Sequence, residues 1–323
     1  MRKVFNPCLN VIYINYLCVL NYNSMKTGKL IFALAFLMLF ADASMAAKWK
    51  AKHVVLIGLD GWGAYSVEKA EMPNVKKLMA EGSYTLKKRS VLPSSSAVNW
   101  ASMYMGAGPE LHGYTEWGSQ TPDLPSRVVN KNGIFPTVFS LLRESDPKAE
   151  IGCICEWAGI RYVCDTLALS YDVNITDKPQ NPATAKCAVE YIKRAHPALV
   201  NIVFDEPDHV GHAEGHDTPA YYEKLKELDG YIGQIIQAVK DAGMLDETIF
   251  IVTADHGGIK KGHGGKTMEE METAFIIAGK GIKKGYEFQE SMMQFDCAST
   301  IAYIFGLKQP QVWIGRPMIQ VFK

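Results

Sequence analysis

The feature that most constrains this chain is a recurring continuous apolar run that ends in acidic residues. HVVLIGLD (53–60), ALVNIVFDE (198–206) and TIFIVTADHGG (248–258) all have it, and AEIGCIC (149–155) and TAFIIAG (273–279) are further apolar runs. A strand buried on both faces reads this way, whereas a half-buried one alternates. Helical signals lie between the runs. MPNVKKLMAEG (72–82) opens at Pro73 and closes at Gly82, and IFPTVFSLLRE (134–144) has similar character. Residues 219–242 place Leu225, Leu228, Ile232, Ile235, Ile236 and Val239 at helical spacing and stop at Gly243. The predicted fold is α/β, a mostly parallel central sheet with helices on both faces. In such sheets the polar residues that do chemistry gather beyond the carboxyl ends of the strands. Asp60, Asp205 with Asp208, and Asp255 with His256 fall there.

The N-terminus reads differently. From Met25 a basic start, MKTGK, leads into an apolar run of about 11 residues (30–40) and small residues at Ala43 and Ala46. These are the parts of a secretory signal peptide. The run is too short to cross a bilayer, which takes roughly 20 residues, and no later run is long enough either. Residues 1–46 are read as an upstream extension plus signal peptide, with the signal starting at Met25 and residues 1–24 an upstream mis-start. Residues 47–323 are read as a single catalytic domain, exported to a periplasm or secreted. Cleavage after Ala46 leaves 30 basic and 33 acidic residues. With no basic block, a nucleic-acid polymer is not the expected partner, and phosphate must be held by local groups or metal. Cys153, Cys155, Cys164, Cys187 and Cys297 remain, an odd number that leaves at least one thiol free. Export permits a disulfide among the first four, while Cys-x-Cys without a close His matches a zinc site poorly.

Four clusters offer chemistry: LDGWG (59–63), LPSSSAVNW (92–100), EPDHVGH (206–212) and TADHGGIKKGHGG (253–265). Asp and His are the oxygen and nitrogen ligands of zinc, and two zinc ions about 4 Å apart clamp a phosphoryl group. Singly, each has a plainer reading. Asp60 could cap a helix, Asp208 and His212 could be a surface pair, and Ser94 to Ser96 could be a polar turn. Asp255-His256 resists such a reading, because the two glycines that follow let backbone approach a ligand. The order of all four along the chain is what one metal site requires.

In combination these segments resemble the alkaline-phosphatase superfamily, and within it the type I phosphodiesterase/nucleotide pyrophosphatase family. The matching pieces are Asp-Gly after the first strand, Pro-x-x-Ser-x-x-Asn at 93–99, EPDHVGH and Asp-His-Gly. NWASMYMGAGPELHGY (99–114), DCASTIAYIFGL (296–307) and WIGRP (313–317) are similar to further family segments, so the resemblance runs from 53 to about 318. It implies an alkaline-phosphatase-like fold, two Zn2+ ions and a small phosphoester substrate. One ion would be held by Asp60, Ser96, Asp255 and His256, with Ser96 also the nucleophile. Asp208, His212 and a third imidazole would hold the other.

Two departures from the family pattern bear on the site. The chain has no His after His263, where the family places its third imidazole. His263 is preferred for that role, on a spacing like that of phosphoethanolamine-transferring enzymes, and His216 is the competitor. His209 is expected to be second in line or exposed, and His53 and His112 to have no metal role. Trp117 stands where the diesterases carry an Asn that donates to phosphate, which leaves Asn99, Asn130 or backbone N–H groups as candidate donors. Trp100, Tyr114 and Trp117 suit stacking on an apolar or base-bearing group. No Arg or Lys falls between Arg89 and Arg127, which favours diesters over monoesters with their extra negative oxygen. The alternatives on this scaffold are a phosphomonoesterase or a phosphoethanolamine-type transferase. A sulfatase is disfavoured, because Asp123 of DLPSR (123–127) stands where the convertible Cys or Ser belongs. Cytoplasmic mutases conflict with the leader, and a non-enzymatic binding protein conflicts with the full set of ligand types.

Overall fold

A computed structural model describes residues 49–323; the expected leader at 1–46 lies outside the described residues. The apolar runs form neighbouring strands at the centre of one sheet. These are β1 (His53–Leu59), β3 (Ile151–Cys155), β5 (Leu199–Phe204) and β6 (Thr248–Thr253). With β2 (Gly82–Arg89), β4 (Tyr171–Asn174), β7 (Glu272–Gly279) and β8 (Tyr286–Glu287), the order is β4-β3-β5-β1-β6-β7-β2-β8. The pairings from β4 through β6 are all parallel, whereas β7 runs antiparallel to both β6 and β2. The mostly parallel α/β sheet read from the sequence is therefore what the chain forms.

Helices cover both faces, and alternate strand residues divide between them. Val54 and Leu56 of β1 point to one face, with Trp100 and Tyr104 of α2 (Ser96–Met105), Phe139 of α3 (Val138–Ser145) and Ile301 of α7 (Asp296–Ile304). Val55, Ile57 and Leu59 point to the other. There they meet Val75 of α1 (Pro73–Glu81), Tyr191 of α4 (Gln180–Ala195) and Leu228 of α6 (Pro219–Asp241). That two-sided burial is why β1 reads as unbroken apolar sequence. No helix among the described residues is long and apolar enough to cross a membrane.

Some expected boundaries move. The helix expected over 134–144 begins only at Val138. Thr137 caps it, accepting from Ser140 N–H at 3.1 Å while Ser140 Oγ accepts from Thr137 N–H at 3.0 Å, so residues 134–136 stay outside. The five cysteines of the described residues are all free thiols, so the permitted disulfide does not form. The strands β2, β4 and β8 had no apolar-run signature; the burial of β2 is broken and ends in charged Lys87, Lys88 and Arg89.

Candidate metal centre and active site

The adjacent strands β5, β1 and β6 all end at the same edge, so the residues that follow them meet in space. Asp60 follows β1, and Asp255 and His256 follow β6; together they form a wholly buried group whose ligand atoms lie within 4.8 Å of one another. Backbone closes the gap between the strands. Asp208 N–H donates to Asp60 O at 3.0 Å, and Gly61 N–H donates to Asp255 Oδ1 at 3.2 Å. Gly61 has φ +69°, and a Cβ there would stand 2.7 Å from Asp208, so only glycine serves. Trp100, buried against Gly58, donates its indole N–H to Asp60 Oδ2 at 3.0 Å and orients that carboxylate.

A second group joins Asp208 and His212 of α5 (Asp208–Glu214) to His263 of the loop after β6, again within 4.8 Å. Here the main chain sets the tautomers. His212 Nδ1 lies 2.9 Å from Lys261 O, and His263 Nδ1 lies 3.0 Å from Ser94 O. A carbonyl can only accept, so each Nδ1 carries the hydrogen and each Nε2 turns a lone pair inward. The two Nε2 atoms face each other at 3.1 Å. His256 is built alike, with Nδ1 at 2.8 Å from Gly257 O and Nε2 at 3.2 Å from Asp255 Oδ2. The His256 and His263 rings stack at 3.8 Å between centroids, which joins the two groups into one centre. His216, the competing imidazole, is buried against Asp208 Oδ1 at 3.6 Å but lies outside the second group.

Facing acceptors need a positive charge between them, a proton or a metal ion. Asp60 Oδ1, Asp208 Oδ1 and Asp255 Oδ2 are buried without a hydrogen-bond partner, and all belong to these groups. The donor set of carboxylates and imidazoles therefore fits metal ions. Protonation tells the same story. Burial, with the neighbouring Asp255 and Asp208 charges, holds Asp60 well above the usual carboxylate range. Burial pushes Asp255 up to about 7 and His263 down to about 4. The hydrogen bond to Asp208 raises His212 to about 9, so without metal this imidazole holds a proton where a cation would sit.

The N-terminus of α2 supplies the hydroxyl. Ser96 Oγ lies 3.2 Å from His256 Nε2. Ser94 Oγ is turned to Gly265 O at 2.7 Å, and Ser95 Oγ is buried without a partner. Asn99, taken from the sequence as a substrate donor, is not free for it. Its Oδ1 accepts from Val91 N–H at 2.8 Å, and its Nδ2 donates to the carbonyls of Val91, Pro93 and Ser95. This amide shapes the loop that delivers Ser96. Asn130 is likewise spent, donating to Asp165 at 2.7 Å. Beneath the centre lies Lys88, fully buried, which donates to Ala254 O and to Gln294 Oε1, each at 2.5 Å.

The centre opens into a cavity of about 600 Å3. Ser96, Asp208, His212 and His263 form its floor, and Trp117 borders it with Glu116, Trp157 and the Asp205–His209 pair. The sequence pointed to Trp117 and left His209 outside the ligand set, as an exposed or supporting residue; its ring is 68% exposed. Trp157 and Glu116 were missed. Trp157 follows the carboxyl end of β3, so the strand-end rule that flagged the acids applied there too.

A family profile described as type I phosphodiesterase / nucleotide pyrophosphatase matches residues 54–137 and 161–284. Bis(5'-adenosyl)-triphosphatase enpp4 of Mus musculus is 25% identical over 219 residues, covering 64% of this chain and 47% of that protein. Venom phosphodiesterase 2 of Crotalus adamanteus is 22% identical over 252 residues, 65% of this chain and 27% of that protein. The chain thus spans less than half the length of these curated relatives. Murine ectonucleotide pyrophosphatase / phosphodiesterase 5 shares the fold, with a TM-score of 0.68 at 15% identity over 80% of this chain and 96% of that one.

Proposed function

The chain belongs to the type I phosphodiesterase/nucleotide pyrophosphatase family, and from that premise we propose that it is an exported two-zinc phosphodiesterase with Ser96 as nucleophile. The observation that carries this reading is the position of Ser96 Oγ, 3.2 Å from His256 Nε2, at the edge of two groups of inward-facing acceptors. Asp60, Asp255 and His256, with Ser96, would hold one ion, and Asp208, His212 and His263 the other. Imidazole with carboxylate favours zinc over magnesium or calcium, which prefer oxygen alone. Bound there, the ions would lower the pKa of the Ser96 hydroxyl and neutralise phosphoryl oxygens.

The residues of the chain would do the rest. The turn built by Asn99 holds Ser96 at the head of α2, aimed into the cavity. Its deprotonated Oγ bonds to phosphorus as the bond to one ester oxygen breaks, and the departing alkoxide takes a proton and leaves as an alcohol. Water then cleaves the Oγ–P bond, the serine regains its proton, and a monoester is released. Diesters are favoured because no Lys or Arg among the described residues lines the cavity, and His209, the lining imidazole outside the two metal-binding groups, is paired with Asp205 at 3.0 Å. A monoester dianion would lack a partner for its extra charge.

Two measurements test this. The kcat/KM ratio of bis-p-nitrophenyl phosphate to p-nitrophenyl phosphate should exceed one, and a preference for the monoester moves the protein to the phosphatase branch. Ser96→Ala should lower turnover by about a thousandfold or more while metal content persists; Ser94→Ala and Ser95→Ala should not approach that loss. Export with cleavage after Ala46, leaving 47–323 as the catalytic domain, is checked by N-terminal sequencing of the exported protein.

A further inference from the structure

The cavity's mouth is rigid and unusual in charge. Asp123 accepts from Thr115 N–H at 2.8 Å, Thr115 Oγ1 at 3.0 Å and Ser119 Oγ at 2.5 Å, which staples the loop carrying Glu116 and Trp117. Trp117 O in turn accepts from Ala97 N–H at 3.1 Å, so this loop is tied to the first turn of α2 beside Ser96. Trp117 nevertheless leaves 67% of its surface open. Trp157, which lines the same cavity, follows Glu156, whose carboxylate accepts from Asp205 N–H at 2.9 Å and from Asn181 at 2.8 Å. Two indoles and the exposed Glu116 therefore border a space into which no Lys or Arg among the described residues projects.

Resting on the phosphodiesterase reading above, we propose that one ester alcohol of the substrate carries an ammonium group, as in choline or ethanolamine phosphodiesters, received by Trp117, Trp157 and Glu116. A polyphosphate on that side would bring negative charge to a wall with no unpaired cation and one free carboxylate. An ammonium group meets the electron-rich faces of indoles, the best cation acceptors among side chains, and a carboxylate beside them. The phosphoryl group remains with the metal-binding floor, so the two ends of the substrate meet opposite charges.

The test compares p-nitrophenyl phosphorylcholine with its neutral isostere, p-nitrophenyl 3,3-dimethylbutyl phosphate, alongside the p-nitrophenyl ester of thymidine 5'-monophosphate and bis-p-nitrophenyl phosphate. The choline ester should exceed its isostere about tenfold in kcat/KM and should also exceed the nucleotide ester. Glu116→Gln and Trp117→Leu should each bring the ratio between isosteres toward one. If bis-p-nitrophenyl phosphate is cleaved but the isosteres react equally, or the nucleotide ester leads, this inference is wrong and the phosphodiesterase reading stands. If bis-p-nitrophenyl phosphate is not cleaved, both fail.

Discussion

The two halves of the candidate metal centre are built by different means. Asp60, Asp255 and His256 sit at the ends of adjacent strands, at most 2% exposed, fixed by sheet pairing and by the Trp100 indole. Asp208, His212 and His263 lie on a short helix and a loop, and His212 is 48% exposed. Geometry in the first half is inherited from the sheet, which cannot shift without breaking many hydrogen bonds. In the second half it depends on a few carbonyl contacts, and such regions open at lower free energy. The sheet-borne half should therefore hold its ion longer than the loop-borne half.

The largest expected effect breaks the rigid half. Asp255→Asn should cut turnover by more than about a hundredfold and leave close to one metal per chain, since it would remove a proposed ligand from a dry site. Loss of both ions would mean that the halves are not separable. Next, His263→Ala should weaken the loop-borne ion by at least about tenfold, and His216→Ala much less. The reverse ranking in metal titrations would reassign the ligand. A graded chelator titration sharpens the contrast, since about half the metal should leave first and most activity should go with it; release in one step contradicts the difference in rigidity. Smaller again, Trp100→Phe should lower affinity of the buried half by about tenfold, through the lost indole donor to Asp60.

The smallest effect concerns Lys88, beneath Asp255. Burial lowers its pKa to about 7 in the folded protein, against roughly 10.4 in an unfolded chain. Between those values the unfolded state binds the extra proton, so this group makes stability rise as pH goes from about 7 to 10. Lys88→Met should flatten that rise, measured as the denaturant midpoint at pH 7 and pH 9. An unchanged slope would mean that Lys88 does not titrate as a buried base.

The same contrast explains what the sequence could disclose. Asp60, Asp255 and His256 were legible because strands buried on both faces leave apolar runs, and their ends are easy to find. The antiparallel turn of β7 and the strand β2 were not, because GSYTLKKR carries three cations and breaks the pattern. Asn99 was misread for a physical reason. An amide three residues after the candidate nucleophile looks like a donor to phosphate, and only the folded loop reveals that its hydrogen bonds are all spent on residues 91–95. Trp157 has no motif around it, and only its position just after β3 pointed to the cavity.

The carbonyl anchors of His212 and His263 bear on inheritance. Their partners are main-chain oxygens of Lys261 and Ser94, and every amino acid has one. The exposed side chain at 261 is thus free to drift in descendants of this protein, provided the path of the chain is kept. Ser94 is held separately through its buried hydroxyl, which accepts from Gly264 N–H at 3.1 Å and donates to Gly265 O at 2.7 Å. The anchoring oxygen at 261 therefore leaves no mark on the identity of its own residue, and a comparison of related sequences would pass over it.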